Sequence, residues 1–428
     1  MRLDITPEHP ALDTELTIRV SELPPASQVT LHAHSADAAG QAWVSEATFT
    51  ADRDGLVDLR RDTPATGSYR VADPMGLVWS MLPAGAPENR HVRDRLAPVP
   101  LQLTAEADGA SSVNTQLQRC LVPDDLVRTD VAGHGLVGVL FHPAGDGPWR
   151  GVMQLGGSEG GMHVDDAALL AAHGFTVLAL AYFGMPGLPP TLRCIPLEYF
   201  GQALNYLLTH PKVTPGGITV MGVSKGGEAA LLTGAIYPDA VRSVISVVGS
   251  AVHTQGISQD IRTGSLLEIL QTPVASWTYQ GQDLPYLRNV VTPRLRAALA
   301  AGDPVSIGWA FPDLGDPPEA GPALIPVDRI DGPVLLLSAG DDGGYGAAYH
   351  EIAISRLRYP ARHIVYEHAG HPIAGPPHRP TPRAAPPYRP APSAGTPGPD
   401  VDFLRSGIPA ADAAARAGAW REVREFLR

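Results

Sequence analysis

Two Gly-x-Ser-x-Gly pentapeptides stand in this chain, Gly156-Gly157-Ser158-Glu159-Gly160 and Gly222-Val223-Ser224-Lys225-Gly226. A serine so placed serves as a nucleophile when it sits on a sharp strand-to-helix turn. Residues 218–223 are an apolar, partly β-branched run, and residues 229–237 read as a helix, so Ser224 has that context. Gly222 and Gly226 carry no Cβ and leave room for the turn. The backbone N–H of Lys225 then points to where an oxyanion forms. Ser158 also follows an apolar run, 151–155, but Gly161-Met162-His163 intervene before a helical pattern begins near Asp165. Ser224 is therefore the preferred nucleophile. The loop at Gly157 and Ser158 is read as the second oxyanion donor.

A serine hydroxyl needs a base to take its proton, and the base needs a partner to orient it. In α/β-hydrolases the chain order is Ser, then Asp or Glu, then His. His371 follows the run 363–366 in Glu367-His368-Ala369-Gly370-His371, with His368 as its rival. Asp341 and Asp342 follow the run 333–338. Asp342 is the preferred acid, and the other is read as a turn residue. His163, Asp165 and Asp166 admit a metal reading, but an acid in the first turn of a helix explains them better. The loop 156–161 is neither a Walker pattern nor Gly-x-Gly-x-x-Gly. No metal or cofactor is expected.

The elements around these residues change style along the chain. Up to about residue 108, short runs alternate apolar and polar residues (16–20, 29–33, 42–49) between turn signals such as Asp54-Gly55 and Thr66-Gly67. That pattern indicates an antiparallel β-sandwich over residues 1–110. From Trp149 strand-like runs alternate with helical patterns, as in a parallel α/β sheet. Residues 111–428 are thus read as the catalytic domain. Its segment 251–324 is expected as a cap or excursion over the site, and its aromatics as local packing. The run 375–399 is rich in Pro, Ala and Arg and is expected as a solvated surface insertion.

The 428 residues are 44% hydrophobic and 18% charged, which suits a folded chain rather than a disordered one. A net charge of −12 with no basic patch argues against nucleic acid as a partner. Cys120 and Cys194 show no metal or disulfide spacing and read as free thiols. No apolar core follows Arg2 and no run is long enough to span a membrane, so a cytoplasmic protein without membrane contact is expected.

The chain resembles the acyl-CoA thioesterase and bile acid-CoA:amino acid N-acyltransferase family over nearly its whole length. The resemblance rests on Asp73-Pro74-Met75-Gly76-Leu77-Val78-Trp79, Gly156-Gly157-Ser158-Glu159-Gly160-Gly161 and Leu178-Ala179-Leu180-Ala181-Tyr182-Phe183. It continues through His210-Pro211-Lys212-Val213, Gly222-Val223-Ser224-Lys225-Gly226-Gly227-Glu228, Gly340-Asp341-Asp342 and Gly370-His371. It implies an immunoglobulin-like domain before an α/β-hydrolase domain, with Ser224, Asp342 and His371 as the triad. The substrate implied is a small-molecule acyl thioester, its donor either coenzyme A or an acyl carrier protein. Within that family a serine nucleophile goes with hydrolysis and a cysteine with transfer to an amine, so Ser224 favours hydrolysis. Acyl transfer to an amine or hydroxyl, and a hydrolase-fold binding protein with an idle triad, remain as alternatives. The segments 251–324 and 375–399 depart from the family pattern.

Overall fold

The computed structural model describes residues 1–85, 97–120, 125–131, 135–259, 264–312, 314, 321–381, 401, 403–404 and 406–428. The chain divides into two compact units. The first comprises Met1–Pro123, Gly375–Ala384 and Ile408–Gly418. The second comprises Asp124–Ala374, Ala385–Gly407 and Ala419–Arg428.

In the first unit, alternation makes half-buried strands. Thr17–Ser21 buries Ile18 and Val20 and exposes Arg19. Gln28–Ala36 and Ala42–Thr50 do the same over nine residues each. One antiparallel sheet joins Arg2–Thr6, Thr17–Ser21 and Val57–Asp58. The other runs Thr66–Gly67, Ala42–Thr50, Gln28–Ala36, Val99–Ala107, Val113–Arg119. Ile18 and Val20 from one sheet share a core with Val29, Leu31, Phe49 and Leu103 from the other. Each such side chain contributes about 1.5–3 kcal/mol relative to exposure.

Two expectations change here. The boundary set at residue 110 falls in the turn of a hairpin, because Val113–Arg119 pairs along Val99–Ala107 and extends this unit to Pro123. The run 375–399 was expected as a solvated insertion of the catalytic domain, yet its first residues pack in the first unit. Pro376, Pro377 and Thr381 are buried. Thr381 N–H donates to Trp79 O at 2.7 Å, and Arg119 Nη1 to His378 O at 2.8 Å. The prolines bring no N–H that burial leaves unsatisfied, so packing them is inexpensive. Residues 382–399 lie outside the described residues.

The second unit holds an eight-stranded sheet. We number its strands β1 (Val127–Val131), β2 (Val137–His142), β3 (Arg150–Leu155), β4 (Phe175–Ala181), β5 (Ile218–Val223), β6 (Val241–Val247), β7 (Val334–Ala339) and β8 (Ala361–Tyr366). Their spatial order is β1-β2-β4-β3-β5-β6-β7-β8. β2 is antiparallel to its neighbours and β3 to β8 are parallel. That order, with its antiparallel β2, is the α/β-hydrolase topology. Every residue of β4 (FTVLALA) is buried, as a strand covered on both faces requires. The chain leaves β3 for β4 on one side and returns to β5 on the other. The crevice beyond the carboxyl ends of β3 and β5 is therefore the switch point where ligands bind in open α/β sheets. Both Gly-x-Ser-x-Gly loops stand there.

Between β6 and β7 the chain leaves the sheet. It forms Leu266–Gln271, Pro293–Ala301 and the strand Trp277–Tyr279, which pairs with Ile195–Pro196. Trp277 is buried against Tyr182 and Phe200 in the main core, which bears out the packing reading for this aromatic. Among the described residues no helix is long and apolar enough to cross a membrane.

Candidate active site

Ser224 sits between β5 and the helix Lys225–Ile236 with φ 54° and ψ −119°. A non-glycine residue in such a conformation stores on the order of 1–3 kcal/mol of strain, so the surroundings must hold it. Ser224 N–H donates to Val247 O at 2.8 Å, and Gly227 N–H donates to Ser224 O at 2.9 Å. A Cβ on Gly222 would collide with the Gly226 carbonyl, and one on Gly226 with the Gly156 carbonyl. The two glycines are thus required by close approach, which seats the turn against the end of β3. Lys225 opens the helix, so its N–H has no carbonyl one turn before it. The Ser224 hydroxyl has no hydrogen-bond partner among the described residues. Catalytic hydrogen bonds are often loose before substrate binds.

The turn is tied down from behind by a buried ion pair. Lys225 Nζ lies 3.2 Å from Glu228 Oε2 and donates to Thr254 O (2.9 Å) and Ser276 Oγ (2.7 Å). Glu228 accepts from Trp277 Nε1 at 2.7 Å and from Thr254 Oγ1 at 2.8 Å. Burial pulls the Lys225 ammonium below its usual pKa, and Glu228 opposes that. Breaking such a fully buried pair costs about 3–5 kcal/mol. The network fastens the excursion after β6 to the helix that carries Ser224.

Asp342 follows β7 and His371 follows β8. The structure brings them together: His371 Nδ1 is 2.8 Å from Asp342 Oδ1 and 3.0 Å from Oδ2. The Asp342 side chain is fully buried, and Gly344 N–H also donates to its Oδ1 at 2.6 Å. Burial opposes the imidazolium, but Asp342 and then Glu159 raise the His371 pKa above its usual value. The rival pair separates cleanly. Asp341 Oδ2 is 3.8 Å from His368 Nδ1, and both side chains are exposed.

The loop after β3 differs from expectation in one respect. The Gly157 N–H does not stand free for an oxyanion; it donates to Glu159 Oε1 at 3.2 Å. Ser158 lies in the same loop with no helix directly after it, the helix starting at Val164. His163 Nε2 is 2.5 Å from Glu159 Oε1, and His163 Nδ1 is 3.4 Å from Asp166 Oδ2. Against burial, Asp166 and Glu159 push the His163 pKa up to about 10. Against the same cost, His163 holds the Glu159 carboxyl down at about 2. No group of three or more His, Cys, Asp or Glu suited to a metal ion occurs among the described residues.

Two family models cover most of the chain. Residues 13–133 match "Acyl-CoA thioester hydrolase/BAAT N-terminal region". Residues 195–428 match "BAAT / Acyl-CoA thioester hydrolase C terminal". The chain belongs to the acyl-CoA thioester hydrolase/BAAT family. It is 30% identical to human acyl-coenzyme A thioesterase 2, mitochondrial, over 97% of this chain and 81% of that protein. Human acyl-coenzyme A thioesterase 1 is also 30% identical, over 97% and 93%. Mouse acyl-coenzyme A amino acid N-acyltransferase 1 is 30% identical over 100% and 97%.

In this thioester hydrolase/BAAT chain, sequence reasoning missed two sets of residues. Lys225 and Glu228 carried a signal, since their i, i+3 spacing puts them on one helix face. The Glu159–His163 pair carried the equivalent i, i+4 spacing, but a glycine-rich loop lies between them and hid it.

Proposed function

We propose that this family member is a serine-dependent acyl-CoA thioester hydrolase. The observation that carries the reading is the Asp342–His371 contact after β7 and β8, at the carboxyl edge of the parallel sheet where the strained Ser224 follows β5. Ser224 Oγ attacks the thioester carbonyl while His371 Nε2 takes its proton, as Asp342 holds Nδ1 and stabilises the imidazolium. The Oγ–C bond forms and the carbonyl oxygen becomes an oxyanion facing the N–H groups of Lys225 and the Gly157 loop. The C–S bond then breaks and His371 returns the proton to the leaving thiol. Water, deprotonated by His371, releases the carboxylic acid and restores Ser224. This scheme calls on no metal or redox cofactor.

The names of the relatives support the substrate class, an acyl-coenzyme A thioester, and the mouse relative's name supports a second reading, transfer of the acyl group to an amine. An acyl carrier protein is a further possible donor for the same chemistry. We also read the first unit, with its two antiparallel sheets on one core, as an immunoglobulin-like sandwich. The test is thiol release across acyl-CoA chain lengths, with product masses measured with and without added glycine. Free acid in both cases supports hydrolysis, and an amide supports transfer. No thiol release from any chain length, with no mass adduct on Ser224, refutes both.

A further inference from the structure

A carboxylate stands where this chemistry needs an empty donor. The point at which a Cβ on Gly157 would stand is 2.7 Å from Glu159 Oε2 and 3.3 Å from Ser224 Cβ. The Glu159 carboxylate thus lies against the Gly157 backbone on the side of the nucleophile, and its Oε1 takes the Gly157 N–H. It is not a stray surface group. His163 grips the same oxygen at 2.5 Å, and Asp166, buried in the first turn of Val164–Ala172, faces the other His163 nitrogen at 3.4 Å. Tyr182 OH donates to Gly156 O at 2.7 Å and fixes the start of the loop. A negative charge on a donor that must receive a developing oxyanion opposes the reaction unless it moves.

We propose that Glu159 is a positioning residue that caps the Gly157 N–H in the resting site and yields it to the substrate's carbonyl oxygen, while His163 keeps hold of the displaced carboxylate. A half-exposed glutamate gripped through that same oxygen by an imidazolium can pivot off the amide without losing its counter-charge. Displacing it consumes binding energy that a thioester supplies through its acyl and thiol parts. A small carbonyl compound lacks that energy, so the cap makes the donor available chiefly to the full substrate. The charge also reaches His371. Asp342 and Glu159 are the acidic groups that raise the His371 pKa, and Glu159 faces His163 and the Tyr182 hydroxyl on its other sides.

The inference rests on the reading of Ser224 as nucleophile, so the test begins there. A small alkyl fluorophosphonate bonds its phosphorus to the serine Oγ with loss of fluoride and places its phosphoryl oxygen among the oxyanion donors. Failure of the full-length wild-type protein to label at Ser224 removes the nucleophile reading, and this inference with it. Given labelling, second-order rates are measured against pH for the wild type, Glu159→Gln and Glu159→Ala. The expected result is a plateau several-fold faster in both variants. The acid limb should also move to lower pH, because Glu159 is one of the charges that raise the His371 pKa. A loop role for Glu159 that is only structural moves the plateau without moving the acid limb. A plateau unchanged or slower, or an unmoved acid limb, overturns the proposal while leaving Ser224 in place.

Discussion

Asp342→Asn keeps the shape of the side chain and removes the charge that faces His371. The carboxylate is fully buried, and its oxygens lie 2.8 and 3.0 Å from His371 Nδ1. Its attraction to a cation matters only when His371 has taken the Ser224 proton, so it stabilises the transition state rather than the resting enzyme. Unit charges about 4 Å apart at an effective dielectric near 20 attract by about 4 kcal/mol. The imidazole is 35% exposed, and solvent screens part of that attraction. The expected loss is therefore on the order of 10²–10³-fold in kcat/KM. The pH profile gives a second reading. His371 must be neutral to accept a proton, so the rate falls as pH drops through its raised pKa. Without the carboxylate that pKa falls, so the acid limb moves to lower pH as the plateau drops. Thiol release, or fluorophosphonate labelling if no thioester is turned over, reads both effects. Asp341→Asn is the control, expected within a few fold of wild type because Asp341 faces only the exposed His368 at 3.8 Å. Equal losses in the two variants, or a larger one at Asp341, refute the assignment.

Ser224→Ala should abolish acyl-enzyme formation and leave the melting temperature nearly unchanged, since it removes only the hydroxyl and keeps the strained turn packed. Loss of labelling in Ser158→Ala with Ser224→Ala still labelled would reverse the roles of the two pentapeptides. A separate prediction concerns His350, buried with Ser246 Oγ at 2.8 Å from Nε2 and Ser338 Oγ at 2.9 Å from Nδ1, His363 lying beyond Ser338. Burial, and then the charge of His363, holds its pKa down to about 3. The unfolded chain takes up a proton below about pH 6.5 that the folded chain refuses, so the stability is complete above that pH and is lost as pH falls, by about 2 kcal/mol at pH 5. Denaturant titrations at the two pH values check it, and His350→Gln should flatten the dependence.

The hydrolase sheet was readable because a buried parallel strand is a continuous apolar run, as in FTVLALA, and because catalytic groups must follow strand ends. That positional rule narrowed the acid to Asp341 or Asp342 and the base to His368 or His371, the family resemblance pointed to Asp342 and His371, and their contact agrees with it. The choice between Asp341 and Asp342 was not derivable from composition, since neighbouring residues after a strand point in different directions. Glu159 was hidden for another reason. A glycine-rich loop has no period that says which side chain turns inward, and Glu159 sits nearly half exposed, like any surface acid. The same limit applies to 251–324. Thr254, Ser276 and Trp277 reach Glu228 and Lys225 across 26 to 51 residues of sequence, and no local pattern encodes that.

The start of the proline-rich run allows a sharper test than the run as a whole. Deleting residues 382–399 and joining the ends with a short Gly/Ser bridge should move the melting temperature by no more than a degree or two. That segment offers Tyr388 as its one large apolar side chain, and closing a surface loop of different length changes the entropy slowly. Extending the deletion back to Pro376 should behave differently. It removes the His378 carbonyl that accepts from Arg119 at 2.8 Å and the Thr381 hydroxyl that accepts from Arg416 at 2.9 Å. Both arginines are 2–3% exposed. Hydrogen bonds to buried charged groups are each worth about 1.5–3 kcal/mol. The pair, with the Thr381–Trp79 backbone bond, should lower the melting temperature of the first unit by on the order of 10 °C. Scanning calorimetry of the two deletions beside the full chain distinguishes them. Equal melting temperatures would mean that residues 376–381 add no stability to the unit they touch. A large drop for the shorter deletion would place the stabilising contacts in residues 382–399 instead.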